Sequence, residues 1–299
     1  MTVSYRSLPG PFGIEITDLD LAAGQAPETL RQLIDLFHRH QFVVLRDQKL
    51  TLPQFDSFTR AFGNQRPHFL DHLRMDGHAS ILMLSNVFDN GRQIGIYEGA
   101  CFWHTDVAYE DPPNSATIVY AIRTPQGGGA PTYVSDCFGA YDALPEAMKQ
   151  RIDGLVAIHH YGNRDDLDEN SPTAAEKLTD AQKRNISIVH HPVVMRHPIT
   201  GRRALYGVSG SSFGIVGMPE DEALDLLRKL AAHATQERFT TAFDYRPGDV
   251  AAWDTFSTLH KAPVVPRAGP EDSHARVLWR VSVTGQSPLV SVHADRQAA

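Results

Sequence analysis

The tripeptide His104-Thr105-Asp106 constrains this chain more than anything else in it. A histidine and a carboxylate two residues apart share one face of an extended segment and can meet a single metal ion. Such a metal needs a third protein ligand, so the fold has to bring a distant strand alongside. His260 meets that need, ending the run from Gly248 that reads as turn, strand and bend. Two histidines and one carboxylate on one side of a metal leave its other side open, which is the ligand set of non-haem Fe(II) oxygenases. The motif alone proves little: a second match, His293-Ala294-Asp295, lies in a polar tail with nothing beyond it to complete a site. The first lies in the alternating, aromatic-rich segment 102–109, which predicts a strand feeding a buried site. The remaining histidines, among them His159, His160, His190, His191 and His197, read as packed, hydrogen-bonded residues.

Composition narrows the class. With 299 residues, 42% hydrophobic and 21% charged, the chain has the make-up of a soluble globular protein, expected as one domain with a core over about 10–285. A formal charge of −7 with no Lys/Arg run speaks against nucleic acid as a partner. No stretch approaches 18 uninterrupted apolar residues, and the first residues lack an apolar core, so neither membrane spanning nor secretion is expected. Two cysteines, Cys101 and Cys137, make no disulfide framework and suit a reducing cytoplasm. A homo-oligomer, dimer or tetramer, is compatible with all of this.

Periodicity predicts a helix over Pro27–His40, with Leu30, Leu33, Ile34 and Phe37 on one face, then a buried strand Phe42–Leu45. A helix from Pro53 to Phe62 capped by Thr51, strands Ile81–Leu84, Thr117–Ile122 and Thr132–Val134, and a helix from Tyr141 to Leu155 follow. The segment from Phe88 through Gly91 reads as loop, and residues 163–185 as an exposed insertion. Strands Val193–Arg196 and Ala204–Val208 flank a turn. A helix over Pro219–Thr235 turns Ala223, Leu224, Leu227, Leu230 and Ala231 inward, and Val250–Trp253 and Arg276–Val283 close the pattern as strands. Many short strands without βαβ alternation imply a mainly β fold with flanking helices, a sandwich or jelly roll.

Several motifs in order carry a resemblance. They are Trp103 through Asp106 with Tyr109 and Pro112-Pro113; Thr124-Pro125-Gln126-Gly127-Gly128-Gly129 with Thr132; and Ala140 to Leu144. Further along come His197-Pro198 through Gly201-Arg202; Gly248-Asp249 with Trp253-Asp254 and His260; and Arg276 to Arg280. In these the chain resembles the taurine dioxygenase and 2,4-dichlorophenoxyacetate dioxygenase family of Fe(II)/2-oxoglutarate-dependent enzymes. The resemblance implies a double-stranded β-helix with His104, Asp106 and His260 as iron ligands, and 2-oxoglutarate and O2 as cosubstrates. It assigns Arg276, helped by Thr132, to the far carboxylate of 2-oxoglutarate. A planar guanidinium suits that task, since it grips a carboxylate through two parallel hydrogen bonds.

The same resemblance offers Arg280, His68 and Tyr97, with His72 as a comparable choice, for the substrate. Strand alternation sets Arg280 on the face of Arg276, and a buried guanidinium favours a small organic anion. The turn before Thr132 and the segments 91–102 and 261–274 depart from the taurine enzymes, which points away from taurine itself. An Asp at position 106 favours hydroxylation or oxidative cleavage over halogenation. Two rival readings of the residues stand beside this one. A zinc hydrolase could use the same ligand set, although no Glu near the motif is poised as its base. A jelly-roll protein could also bind metal and ligand without turnover.

Overall fold

Phe42–Leu45 is buried at all four positions, as a strand must be when both of its faces are covered. Phe42 and Val44 face one hydrophobic core, and Val43 and Leu45 face another. The computed structural model that shows this describes residues 2–68, 74–97, 101–161 and 187–290.

The chain opens with β1 (Tyr5–Ser7), β2 (Ile14–Ile16), α1 (Pro27–His40), β3 (Phe42–Leu45) and α2 (Leu52–Thr59). Short strands β4 (Asn64–Gln65) and β5 (Arg74–Met75) precede β6 (His78–Ser85), the hairpin β7 (Phe88–Asp89) and β8 (Arg92–Gln93), and β9 (Asn114–Arg123). After β10 (Thr132–Asp136) come α3 (Cys137–Asp142), α4 (Glu146–Ile152), β11 (Val156–His159) and β12 (Val189–Pro192). They are followed by β13 (Val194–Arg196), β14 (Arg203–Leu205), β15 (Ser212–Ile215) and α5 (Glu220–Ala234). The last strands are β16 (Thr240–Phe243), β17 (Val250–Asp254), β18 (Thr258–Lys261) and β19 (Val277–Thr284).

The main sheet runs β1-β2-β3-β17-β9-β19-β6-β5, with β4 paired to β19, and a second sheet runs β16-β10-β18. Alternation along the central strands divides the main sheet's faces. Val250, Ala252, Ile118, Tyr120, Val281 and Val283 pack under α1 and α2, against Leu33, Ile34, Phe37 and Phe55. Ala251, Trp253, Val119, Ala121 and Leu278 point the other way, toward Val134 and Phe243 of the second sheet. The result is the expected jelly roll with flanking helices. A third core joins α3 and α5 to β11, β14 and β15.

Four local expectations change. β2 and β3 are parallel and are joined through α1, so one βαβ crossover exists where none was expected. The single helix over Tyr141–Leu155 is two, α3 and α4. Pro145 stands at the N-cap of α4, where its missing N–H breaks no helical bond. Asn90 and Gly91 have positive φ and turn the supposed loop at Phe88 into a hairpin. On α5 the buried set is Ala223, Leu226, Leu227, Leu230 and Ala234, while Leu224 and Ala231 line a groove of about 680 Å³ beside β15. The helix face is therefore rotated slightly from the predicted one. The proposed insertion 163–185, His72 and the second motif at His293 and Asp295 lie outside the described residues. Among the described residues, no helix is long and apolar enough to cross a membrane.

One buried polar node fixes the bend between β17 and β18. Asp254 Oδ2 accepts from His197 Nε2 at 2.8 Å and meets His38 Nδ1 at 3.2 Å. Its Oδ1 takes the backbone N–H of Phe256 and the hydroxyl of Ser257. Burial alone would raise the carboxyl's pKa, but His197 and His38 outweigh it and hold Asp254 well below the carboxylate range. His197 Nδ1 accepts two backbone N–H groups, from Ile199 and Thr200, so the proton sits on Nε2 and is donated to Asp254. These three residues also form a cluster of metal-ligating type, yet each close contact is already a hydrogen bond. Asp254→Ala leaves both histidines facing an empty pocket and should cost about 3–5 kcal/mol. Urea denaturation of the metal-free protein measures it, and a loss below about 1 kcal/mol would remove the node's role.

Candidate metal centre

His104 and His260 are brought together by main chain before side chains. His104 N–H donates to His260 O at 3.0 Å and His260 N–H to His104 O at 2.9 Å, an isolated antiparallel bridge that sets the two residues directly opposite one another. Their rings lie 4.2 Å apart, centroid to centroid. The predicted strand through 102–109 is not formed beyond this bridge. The chain turns at Asp106, and Val107 takes a positive φ of 56°, so the carboxylate swings back between the rings. Asp106 Oδ1 is 3.5 Å from His104 Nε2, and Oδ2 is 3.5 Å from His260 Nε2.

The donor set fits a divalent cation. One ligand atom from each of His104, Asp106 and His260 lies within 4.8 Å of the others. His104 Nδ1 is 2.8 Å from Phe102 O. A carbonyl only accepts, so Nδ1 carries the proton and the Nε2 lone pair faces inward. Burial pushes His260 down to about 3, with Asp106 pulling the other way, so its imidazole is neutral and available. Trp253 packs against it at 4.7 Å between ring centroids.

Asp106 is kept ionised by its surroundings. Burial would raise its pKa, but Arg280 first, then His260 and His104, hold it well below the usual range. Arg280 Nη2 donates to Oδ1 at 2.6 Å and to Ser282 Oγ at 3.1 Å. The Thr117 hydroxyl donates to Oδ2 at 2.7 Å. Thr117 stands on β9 and Arg280 on β19, so the main sheet orients the carboxylate while the β18 edge of the second sheet holds the imidazoles.

Arg276 lies just before β19 and is 8% exposed. Its guanidinium carbon sits 5.7 Å from the centre of the Tyr245 ring, and burial lowers its pKa. Among the described residues no carboxylate pairs with it. Thr132, buried at the start of β10, and Arg276 both bear on the Tyr245 hydroxyl, where burial pushes the pKa up to about 12. Thr132, Tyr245 and Arg276 thus form one cluster around an unneutralised cation, with room in its chemistry for a carboxylate.

The structure treats the other sequence-chosen residues differently. Arg280 shares the interior face with Leu278, as alternation required, but its partner is Asp106. It is not the cation without an anion that the sequence reading assumed. Tyr97 donates to Val265 O at 3.0 Å and packs edge-on against Phe88, which places it in a wall made with the loop 262–275. His68 is half-buried, and its carbonyl accepts from Arg74 Nε at 2.6 Å. Sequence reasoning missed Thr117, Tyr245, Asn86 and the Asp254 node. The only available signals were the polar Thr117 in an apolar strand and the doubled family pieces around His197 and Asp254.

Gly210 was also missed. Its φ is +96°, and a Cβ there would come within 2.7 Å of His104 Cβ. Gly210→Ala should therefore displace His104 at a strain of about 1–3 kcal/mol, weakening Fe(II) binding roughly 5- to 150-fold in an anaerobic titration. In the same titration Ala at His104, Asp106 or His260 should abolish binding. Wild-type affinity in Asp106→Ala would take the metal away from this site.

Known proteins share this sequence pattern and fold. The family described as "Taurine catabolism dioxygenase TauD, TfdA family" matches residues 4–282. A pentalenolactone F synthase of Streptomyces avermitilis is 28% identical over 97% of this chain and 97% of its own. An alpha-ketoglutarate-dependent 2,4-dichlorophenoxyacetate dioxygenase of Cupriavidus pinatubonensis is 27% identical over 87% of this chain and 92% of its own. Among solved structures, that of AAD-2 in complex with Mn(II) and N-oxalylglycine superposes with a TM-score of 0.77 at 26% identity, covering 97% of this chain and all of the other. The chain belongs to the TauD/TfdA family of alpha-ketoglutarate-dependent dioxygenases, enzymes that require Fe(II), 2-oxoglutarate and O2.

Proposed function

We propose that this enzyme hydroxylates, or oxidatively cleaves, a small organic anion. One observation carries the reading: two cations, Arg276 buried just before β19 and Arg280 half-buried within it, serve this site, and among the described residues Asp106 is the one carboxylate paired with either. A divalent metal on His104, Asp106 and His260 adds further positive charge. Three anionic groups are needed to bring the site to neutrality, since an uncompensated buried charge is costly. The cosubstrate, a dianion gripped at its far carboxylate by Arg276 and Thr132, supplies two. A carboxylate or sulfonate on the substrate, drawn to Arg280, supplies the other, in keeping with the 2,4-dichlorophenoxyacetate named for a relative.

When bound, iron supplies O2 activation, with 2-oxoglutarate consumed to succinate and CO2 as the substrate gains oxygen. The chain's own part is to hold and exclude. His104, Asp106 and His260 would occupy one side of the metal, and Trp253 and Phe102 beside the imidazoles keep water from their backs. Arg280 then does two things: it orients Asp106 and offers its remaining N–H groups to the substrate anion. We take the chain as one domain working in a reducing cytoplasm, where Cys101 and Cys137 stay free thiols. The hydrolase and non-catalytic readings are not favoured, because relatives named as alpha-ketoglutarate-dependent dioxygenases match the chain, a hydrolase gives Arg276 no purpose, and the metal-ligand triad is intact.

Succinate release from anionic substrates tests the reading. Arg276→Lys, which cannot make the bidentate contact, should raise the 2-oxoglutarate requirement about 10- to 150-fold, the equivalent of about 1.5–3 kcal/mol. Arg280→Ala should lose more in kcat/KM for the anionic substrate than in 2-oxoglutarate affinity, which changes only through Asp106. A preferred substrate that is neutral or cationic, turned over by Arg280→Ala at the wild-type rate, would leave Arg280 as the orienting partner of Asp106 alone.

A further inference from the structure

Asn86 directs every polar group it has at one short stretch of chain. Its backbone N–H donates to Arg276 O at 3.3 Å, and its carbonyl accepts from Ala268 N at 2.9 Å. Its side-chain Oδ1 accepts from Arg276 N at 2.7 Å. The two hydrogens of Nδ2 go to Pro266 O at 2.7 Å and His274 O at 3.1 Å. All the partners lie within 266–276, and Asn86 is 3% exposed. The amide orientation is therefore set by its partners: Oδ1 faces a donor, and Nδ2 faces two carbonyls.

That stretch is the loop leading into Arg276, and it has further contacts, including a small buried cluster of Val87, Ala268 and Ala275. Val87 and Ala268 form a parallel bridge, and Phe88 N–H donates to Ala268 O at 2.8 Å. Arg267 lies over the rings of Phe88 and Tyr97 at 4.7 and 5.6 Å. Gln126 N–H, in the turn before Thr132, donates to Ser273 O at 2.8 Å. The loop thus touches both halves of the Thr132/Arg276 cluster; Arg123 holds Pro270 O and Asp272 O from outside, and Asn86 is the buried side chain that binds both Pro266 and the backbone of Arg276.

We propose that Asn86 is a positioning residue for cosubstrate binding, fixing the backbone of Arg276 and tying the 262–275 loop to it, so that order in this loop and 2-oxoglutarate binding are thermodynamically linked. This rests on the reading that Arg276 grips the far carboxylate. The physical reason is leverage: Arg276 has no ion-pair partner among the described residues to hold its head, so the guanidinium's direction depends on its backbone and on its packing against Tyr245. A small rotation there moves a bidentate fork out of line with its carboxylate. Linkage is reciprocal, so what loosens the loop weakens the cosubstrate, and the cosubstrate in turn quiets the loop.

Two measurements test this without turnover. The first is calorimetric titration of 2-oxoglutarate into the Mn(II)-loaded protein, for wild type, Asn86→Ala, Asn86→Asp and Arg276→Ala. Asn86→Ala should raise Kd about tenfold or more with Mn(II) affinity unchanged. Asn86→Asp, which keeps the acceptor for Arg276 N–H and loses the donors to the loop carbonyls, should fall between it and wild type. A lowered Tm with an unchanged Kd in Asn86→Ala would reduce Asn86 to a structural residue and overturn the proposal. If Arg276→Ala itself binds normally, the reading beneath it fails instead. The second measurement uses the wild-type protein and so survives any failure of the variants to fold. Adding 2-oxoglutarate to the Mn(II) form should slow amide hydrogen exchange across 263–276 by about tenfold. Exchange there that ignores the cosubstrate, while binding is saturated, would sink the linkage.

Discussion

The reciprocal backbone hydrogen bonds between His104 and His260 are what the rest of the site hangs from. Main-chain pairing sets Cα positions far more tightly than a pair of flexible side chains could, and here it sets two imidazoles side by side, their planes inclined by 47°. Everything adjacent protects that pairing. Gly210 leaves space behind His104 that a methyl group would fill. The Asp254 node holds the bend from which β18 departs, and Gln41 Nε2 reaches across to Ser257 O and Asp136 Oδ1 to pin the same corner. The bridge lies at the seam between the two sheets. A shift of either sheet is a shift in the distance between ligands.

The two sheets supply different chemistry. The β18 edge of the second sheet provides neutral nitrogen donors, with His260 kept neutral by burial. The main sheet provides charge control: Thr117 and Arg280 fix the carboxylate, and Arg276 adds a second cation from the end of the same strand pair. A carboxylate shared among Arg280, Thr117 and two imidazoles cannot rotate to satisfy one at the expense of the others. It is preorganised as a ligand, at the cost of giving part of its negative charge to Arg280. Arg280 therefore both tempers the ligand's charge and fixes its orientation, and its removal would alter both at once.

How much of this was legible in sequence follows from what kind of interaction each residue makes. Helix α1 and strands β3, β9 and β17 were readable because burial imposes a period of 3.6 or 2 on side-chain type. That His104, Asp106 and His260 converge was readable because metal-ligating chemistry admits few substitutes and their order along the chain matches a family. The strand through 102–109 was misjudged because alternation of aromatic residues is also what a tight turn into a buried site produces. The split of α3 from α4 was written in Pro145 and was overlooked. Thr117 and Tyr245 left almost no trace, since a threonine in a strand and a tyrosine after one are the commonest residues for such places.

The outer wall of the site was illegible for a deeper reason. Segments 86–97 and 262–275 meet largely through backbone carbonyls: Pro266 O, His274 O and Ala268 O accept regardless of which side chain their residues carry, and Tyr97 binds Val265 O in the same way. A loop hung on carbonyls keeps its course while its side chains change, so its sequence carries little record of its conformation. The metal half of the site has the opposite character, because it is made of side chains that cannot be exchanged. An enzyme built this way can hold its reaction constant and alter the surface it offers to substrates by changing the residues on a loop whose path is kept by Asn86. Two of the three departures from the taurine enzymes, in 91–102 and 261–274, overlap these segments. That coincidence is what such an architecture would produce.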